Sequence, residues 1–359
     1  MLLLFSALVA TTSAEGKGVP LLRGWNLGNT LETPCARLQY MGLRSEWIFE
    51  TVKSKGFDWV RIPVHWGCHT TDVAPHRVDP GWLAEVNQTV GWARQQGLRV
   101  MVNAHAEDWL DNSTGTQACW TPPCQGVNPR IFATQLPKMI AIWTQVSRFF
   151  VDVPDDELVF ELFNEPYYMN VPQLNELYAA LLPAVRRSSA TRQVHLGGLA
   201  HMKSSWILNN PDALKFPSND QHLALTTHSY DPNAFSGAAC HAPAPPPCPS
   251  VTDTTFGASD QQMVRQTFAH LGMWSTAHRE IPVYHTEFGV AVFQHNLTAK
   301  ALFYRTYADG ASEHGVGWAV WDDDGWFRIL NRKARTWNRS VTQALVGGAK
   351  LPFSDSNYR

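Results

Sequence analysis

The sequence predicts an α/β chain folded as a single-domain (β/α)8 TIM barrel, and three observations lead there. Short β-branched and aromatic runs alternate with longer amphipathic stretches from residue 15 onward. Eight such runs fit within 359 residues, a length suited to a closed parallel barrel. Polar side chains gather at the C-terminal ends of these runs, where that architecture builds its sites. The rival is an open doubly wound sheet. It is disfavoured because no Gly-x-Gly-x-x-Gly turn follows the first run.

Strands are expected at 22–29, 59–65, 99–105, 158–165, 193–199, 224–230, 282–287 and 317–321. Helices are expected at 46–55, 82–96, 132–150, 174–187, 260–277 and 300–313, where apolar residues recur at spacings of three and four. Residues 106–130 form a long loop after the third strand. The Pro/Ala-rich run 242–249 reads as a loop insertion after the sixth, because a strand and helix of the same series continue beyond it.

The first ten residues are apolar and Thr11, Thr12, Ser13 and Ala14 are small, so 1–14 is expected to be a signal peptide and 15–359 the mature domain. A basic n-region is missing, and a buried N-terminal strand is the alternative. No other stretch approaches the ~20 apolar residues that span a bilayer. Six cysteines lack zinc spacing. Cys119 with Cys124 and Cys240 with Cys248 could each close a local loop, leaving Cys35 and Cys68 for each other, although sequence does not prove this connectivity. Sequons at Asn87, Asn112, Asn296 and Asn338 also fit an oxidising, extracellular compartment. A net charge of -2 gives no reason to expect nucleic acid or an anionic membrane as partner.

The strand ends carry Arg61, His105, Asn164, Glu165, His228, Tyr230, Glu287 and Trp321. In a barrel these positions converge on one cleft. Arg61-Ile62-Pro63-Val64, Asn164-Glu165-Pro166, His228-Ser229-Tyr230-Asp231-Pro232 and Thr286-Glu287-Phe288-Gly289 together resemble the ordered motifs of glycoside hydrolase family 5, the cellulase A family. Gly24-Trp25-Asn26-Leu27-Gly28-Asn29 resembles its opening strand and Trp318-Ala319-Val320-Trp321 its closing one, so the likeness runs from about Leu22 to Asn338.

That resemblance implies a retaining glycosidase with Glu165 as general acid/base and Glu287 as nucleophile. It implies that Arg61 and Tyr230 hold the nucleophile and that Asn164 binds a sugar 2-hydroxyl. His105 and His228 would form a polar floor, and Trp321 a stacking platform. Two carboxyls about 5–5.5 Å apart suit this double displacement, which needs neither metal nor cofactor. Among 15 tryptophans, Trp66, Trp109, Trp120 and Trp326 follow strands and are candidate sugar platforms; Asn29 is a further candidate contact.

One local departure concerns His105, which is followed by Ala106 where the family often has a second histidine. The run Asp322-Asp323-Asp324 lacks the ligand spacing of a calcium loop and reads as a solvated loop or as hydroxyl contacts to sugar. The expected protein is a secreted, monomeric endo-β-1,4-glucanase acting on polysaccharide or oligosaccharide. Mannanase, exo-β-1,3-glucanase, xyloglucanase and glycosylceramidase activities share the same fold and residues. A non-catalytic carbohydrate-binding protein would not need both glutamates, and a zinc hydrolase would need His-Glu-x-x-His, which is absent.

Overall fold

A computed structural model describes residues 22–111, 126–238 and 254–347. The 1–14 segment, Asn112, Cys119, Trp120, Cys124, Cys240, the 242–249 run and Cys248 lie outside the described residues. Eight parallel strands close a barrel in chain order: β1 (Arg23–Asn26), β2 (Trp59–Ile62), β3 (Arg99–Asn103), β4 (Leu158–Glu161), β5 (Val194–Gly197), β6 (Leu223–His228), β7 (Val283–Glu287) and β8 (Gly317–Val320). The ring closes where Arg23 pairs with Trp318 and Trp25 with Val320.

A helix follows each strand: α1 (Glu46–Ser54), α2 (Pro80–Gln95), α3 (Pro129–Phe149), α4 (Val171–Arg186), α5 (Ser204–Asn209), α6 (Ala258–Ala277), α7 (Leu297–Glu313) and α8 (Arg339–Val346). Asp79 and Asn128 cap α2 and α3, each with proline at the first turn, and Asn170 with Gln173 forms a capping box on α4. Two sequon asparagines do similar work, since Asn296 and Asn338 accept from the backbone N–H of Ala299 and Val341. The helices α5 and α8 are not among those expected, because six and eight residues are too few to show a sustained helical period.

The period of two along each strand sorts the residues. Val60, Ile62, Val100, Val102, Leu158, Phe160, Leu225 and Val320 join the large core beneath the helices. The alternate residues Trp59, Met101, Val159, Ala224, Tyr284 and Ala319 form a separate buried cluster inside the barrel. Gly24 completes that layer, and a Cβ there would lie 2.4 Å from the Trp59 ring. Two residues further along the strands stand Asn26, Arg61, Asn103, Glu161, Thr226 and Thr286, all buried. A polar layer thus sits directly on an apolar plug.

The strands end up to four residues earlier than expected. Pairing nonetheless continues past several ends, as Leu27 N donates to Arg61 O, His105 N to Val64 O and Asn164 N to Ala104 O. Glu165 then turns away with φ 50°. Cys35 and Cys68 are disulfide-bonded, joining the loops after β1 and β2. No helix among the described residues is long and apolar enough to cross a membrane.

Candidate active site

Arg61 is the hub of the polar layer. Its Nε donates to Glu161 (2.6 Å) and its Nη1 to Asn26 (3.0 Å) and Glu287 (2.6 Å), while Nη2 donates to Asn164 (2.6 Å). Arginine suits this position because its planar fork serves several acceptors at once. Burial acts against its charge, but Glu161 and Glu287 outweigh burial and raise its pKa. Asn26 is itself fixed, donating to Thr286 O and Val320 O.

Glu287, at the end of β7, is buried. Its second oxygen accepts from Tyr230 Oη at 3.0 Å. Burial raises the Glu287 pKa, with His228 and Arg61 pulling it back. Because Arg61 keeps its charge at any working pH, an anion there has a permanent partner. Tyr230 remains a hydroxyl donor, since burial and then Glu287 push its pKa well above the ordinary value.

Glu165 faces Glu287 from the end of β4. Its Oε1 lies 2.8 Å from His228 Nδ1, and its Oε2 lies 3.3 Å from His201 Nδ1. Burial acts to raise this carboxyl, but hydrogen bonds with His201 and His228 prevail and hold it well below the usual carboxylate range in the open cleft. Glu165, His228 and Glu287 each present an atom within 4.8 Å of the others. His228 is oriented from behind by Thr286 Oγ1 (2.9 Å), itself bonded to Thr226 Oγ1 (2.7 Å).

His105 lies 3.2 Å from Asn103 Nδ2 and 3.3 Å from Asn164 Nδ2, and its ring is parallel to that of Trp321 at 5.9 Å. Burial, followed by the Arg61 charge, lowers its pKa well below the ordinary value, so it is a neutral imidazole. Trp321 belongs to an aromatic patch with Phe327, Tyr230, Phe293 and Trp326. Trp326 is half-buried, edge-on to Phe293, at the rim of this patch. Asn29 is exposed and donates to Asp323 O.

Two expectations are corrected. Trp66 is no platform: it is fully buried in the main core, and its indole N–H donates to Asn103 O. Trp109 is half-buried, with Lys138 4.9 Å from its ring and its indole N–H on Glu107. One expectation for Asp322-Asp323-Asp324 also changes: Asp322 and Asp323 are buried, so neither is solvated, and Asp324 alone is partly exposed. Asp322 accepts from Trp25 Nε1, Leu330 N and Asp324 N, while Asp323 accepts from Gly325 N and Phe327 N. These carboxylates fold the loop after β8. Asp322→Ala leaves two buried donors, Trp25 Nε1 and Leu330 N, and the part-buried Asp324 N without their acceptor, so thermal and denaturant unfolding should show a loss of about 2–3 kcal/mol.

Several residues of the site were not singled out from the sequence. Glu161 could have been noticed as a charge inside an apolar run; Asn26 and His201 carried no such signal. Two more acids fix the loops. Glu107 receives the N–H of Trp66 and Gly67, and Asp111 receives those of Tyr167, Tyr168 and Met169 just beyond Glu165. The position after His105, where the family often has a second histidine, is a left-handed Ala106 (φ 55°) leading into Glu107.

Residues 14–325 match the family model Cellulase (glycosyl hydrolase family 5). The chain belongs to glycosyl hydrolase family 5. It is similar to Endoglucanase H of Acetivibrio thermocellus, 28% identical over 92% of this chain, although the match spans 33% of that longer protein. Endoglucanase A of Ruminococcus albus is 29% identical over 91% of this family 5 chain and 90% of its own length. Among solved structures, a hyperthermophilic endo-β-1,4-glucanase in complex with substrate superposes with a TM-score of 0.77 at 25% identity, covering 91% of this chain and 97% of that one.

Proposed function

We propose that this family 5 chain is an exported, retaining endo-β-1,4-glucanase. The observation that carries this reading is the facing pair Glu165 and Glu287, with oxygens inside 4.8 Å of each other and unlike partners. So close an approach supports double displacement, since an inverting pair of carboxyl groups stands about 6.5–9.5 Å apart to admit a water. Glu287, compensated by Arg61 and oriented by Tyr230, attacks the anomeric carbon as an anion. Glu165 delivers a proton to the departing oxygen. It then removes one from the water that frees the sugar from Glu287.

Asn164, held by Arg61 and near His105, turns its amide toward the cleft and can meet the 2-hydroxyl, a contact that tightens in the transition state. Trp321 offers a flat apolar face for the reacting ring. Endo action is supported by the two endoglucanase relatives, and the β-1,4-glucan preference by the solved endo-β-1,4-glucanase. Export is supported by the apolar first ten residues and by the Cys35–Cys68 disulfide, a bond uncommon in reducing compartments.

The protein should be incubated with β-1,4-glucan, mannan, xyloglucan and β-1,3-glucan, resolving product length and anomeric form with time. Short β-configured products from β-1,4-glucan are expected. Initial α products would reject retention, and faster cleavage of mannan would move the substrate.

A further inference from the structure

The turn after β5 is unusual in its backbone. Ala200, His201 and Met202 are consecutive non-glycine residues at φ 56°, 58° and 56°. Left-handed geometry is unfavourable for L-residues and occurs singly in most proteins, so three in a row persist only where surrounding contacts enforce them. Those contacts are present. Met202 packs against Gly197, where a Cβ would fall 2.1 Å from its methyl carbon. Trp206 fills the space that Gly198 leaves. Lys203 bridges to His228 at the end of β6.

What this turn holds is Glu165. Met202 Sδ accepts the Glu165 N–H at 3.0 Å, and His201 Nδ1 reaches the carboxyl at 3.3 Å. The imidazole is backed by Tyr167, stacked at 4.0 Å, whose own backbone N–H is fastened to Asp111. His201 is 40% exposed, whereas His228 on the other oxygen is 2% exposed. One partner of Glu165 therefore faces the interior and the other the open cleft.

We propose that His201 is a positioning residue for Glu165, held by the left-handed turn so that the imidazole and the carboxyl share one proton at the mouth of the cleft. This inference rests on the assignment of Glu165 as acid/base. When the proton is on His201, Glu165 is a carboxylate. Moving it from Nδ1 to Oε2 leaves neutral imidazole and a carboxylic acid able to protonate the departing oxygen. In the second half of the cycle, water gives its hydroxyl oxygen to the anomeric carbon and its proton to Glu165, which restores the shared proton.

The groups facing His201 are Glu165 and Tyr167 from the loop after β4, Asp111 from the loop after β3 and Lys203 from its own turn, with His228 of β6 on the other oxygen of Glu165. Burial opposes the imidazolium, but pairing with Glu165 prevails and raises the His201 pKa. The pair thus loses its last proton at a higher pH than an isolated carboxyl would, and the alkaline edge of kcat/KM follows that loss.

Two measurements test this. In substrate-free protein, the His201 ring is titrated by NMR in wild type and in Glu165→Gln. A fall of about one pH unit in the variant is expected, and an unchanged titration would overturn the proposal. Second, His201→Asn keeps a residue that tolerates the left-handed backbone but removes the titrating ring. Its alkaline edge on β-glucan should move to lower pH by about half a unit or more while thermal stability is retained. An unmoved edge in folded protein would also overturn the proposal. The NMR arm needs no substrate, so a coupled His201 in a protein inert toward β-glucan would reject the glucanase reading and leave this one standing.

Discussion

Replacing Glu287 by alanine is expected to lower kcat on β-glucan by about four orders of magnitude or more, with KM little changed. As the proposed nucleophile, Glu287 would bond to the reacting carbon and its removal would delete a whole step, so the loss should not depend on the leaving group. The protein should stay folded, because Arg61 keeps Glu161 as a buried counter-charge at 2.6 Å. Glu165→Ala should behave differently. An aryl glycoside with a good leaving group needs no acid, so its first step should survive while release of the glycosyl-enzyme slows. Added azide separates the roles stereochemically. It enters from the vacated face in Glu287→Ala to give an α-glycosyl azide, and opens the covalent intermediate in Glu165→Ala to give the β form. Activity within tenfold of wild type in Glu287→Ala would reject the nucleophile assignment.

The second large effect concerns Arg61. Arg61→Met should destabilise the fold by about 3–5 kcal/mol, because Glu161 and Glu287 would remain buried without their cation. Equilibrium unfolding in denaturant reads this directly. Lysine should not restore the wild-type state, since one ammonium cannot reproduce a fork that meets Glu161, Asn26, Glu287 and Asn164 together. Arg61→Met combined with Glu161→Gln should recover part of the loss, the two residues being in contact and therefore non-additive. A single-variant loss below about 1 kcal/mol would mean that relaxation or water compensates the pair.

Much of this arrangement was legible in the sequence because it follows from periodicity. All eight strands lie within the runs expected for them apart from the first residue of β6, Leu223, and their closure follows from strand–helix alternation. Arg61, Asn164, Glu165, His228, Tyr230 and Glu287 meet because each stands at or just beyond a strand end. The residues that escaped are of two kinds. Glu161 and Asn26 are the last residues of β4 and β1 but fall inside the longer runs expected there, and a polar residue at such a place shows its purpose only once the barrel puts it opposite Arg61. His201, Glu107 and Asp111 lie on irregular turns, whose shape comes from backbone hydrogen bonds and left-handed residues that no periodic pattern announces. The tryptophans divide on similar grounds. Trp66 and Trp321 both follow apolar runs, yet Trp66 is aimed into the core and bonded to Asn103 O.

The apolar plug formed by Trp59, Met101, Val159, Ala224, Tyr284 and Ala319 has a consequence for the traffic of the reaction. Closed from below, the cleft admits molecules from its loop face alone. On the proposed double displacement, water for the second step would arrive by the route through which the cleaved fragment departs. A sugar hydroxyl in that passage would compete with it for the glycosyl-enzyme, so the crowding of the doorway would set the balance between shortening chains and rejoining them.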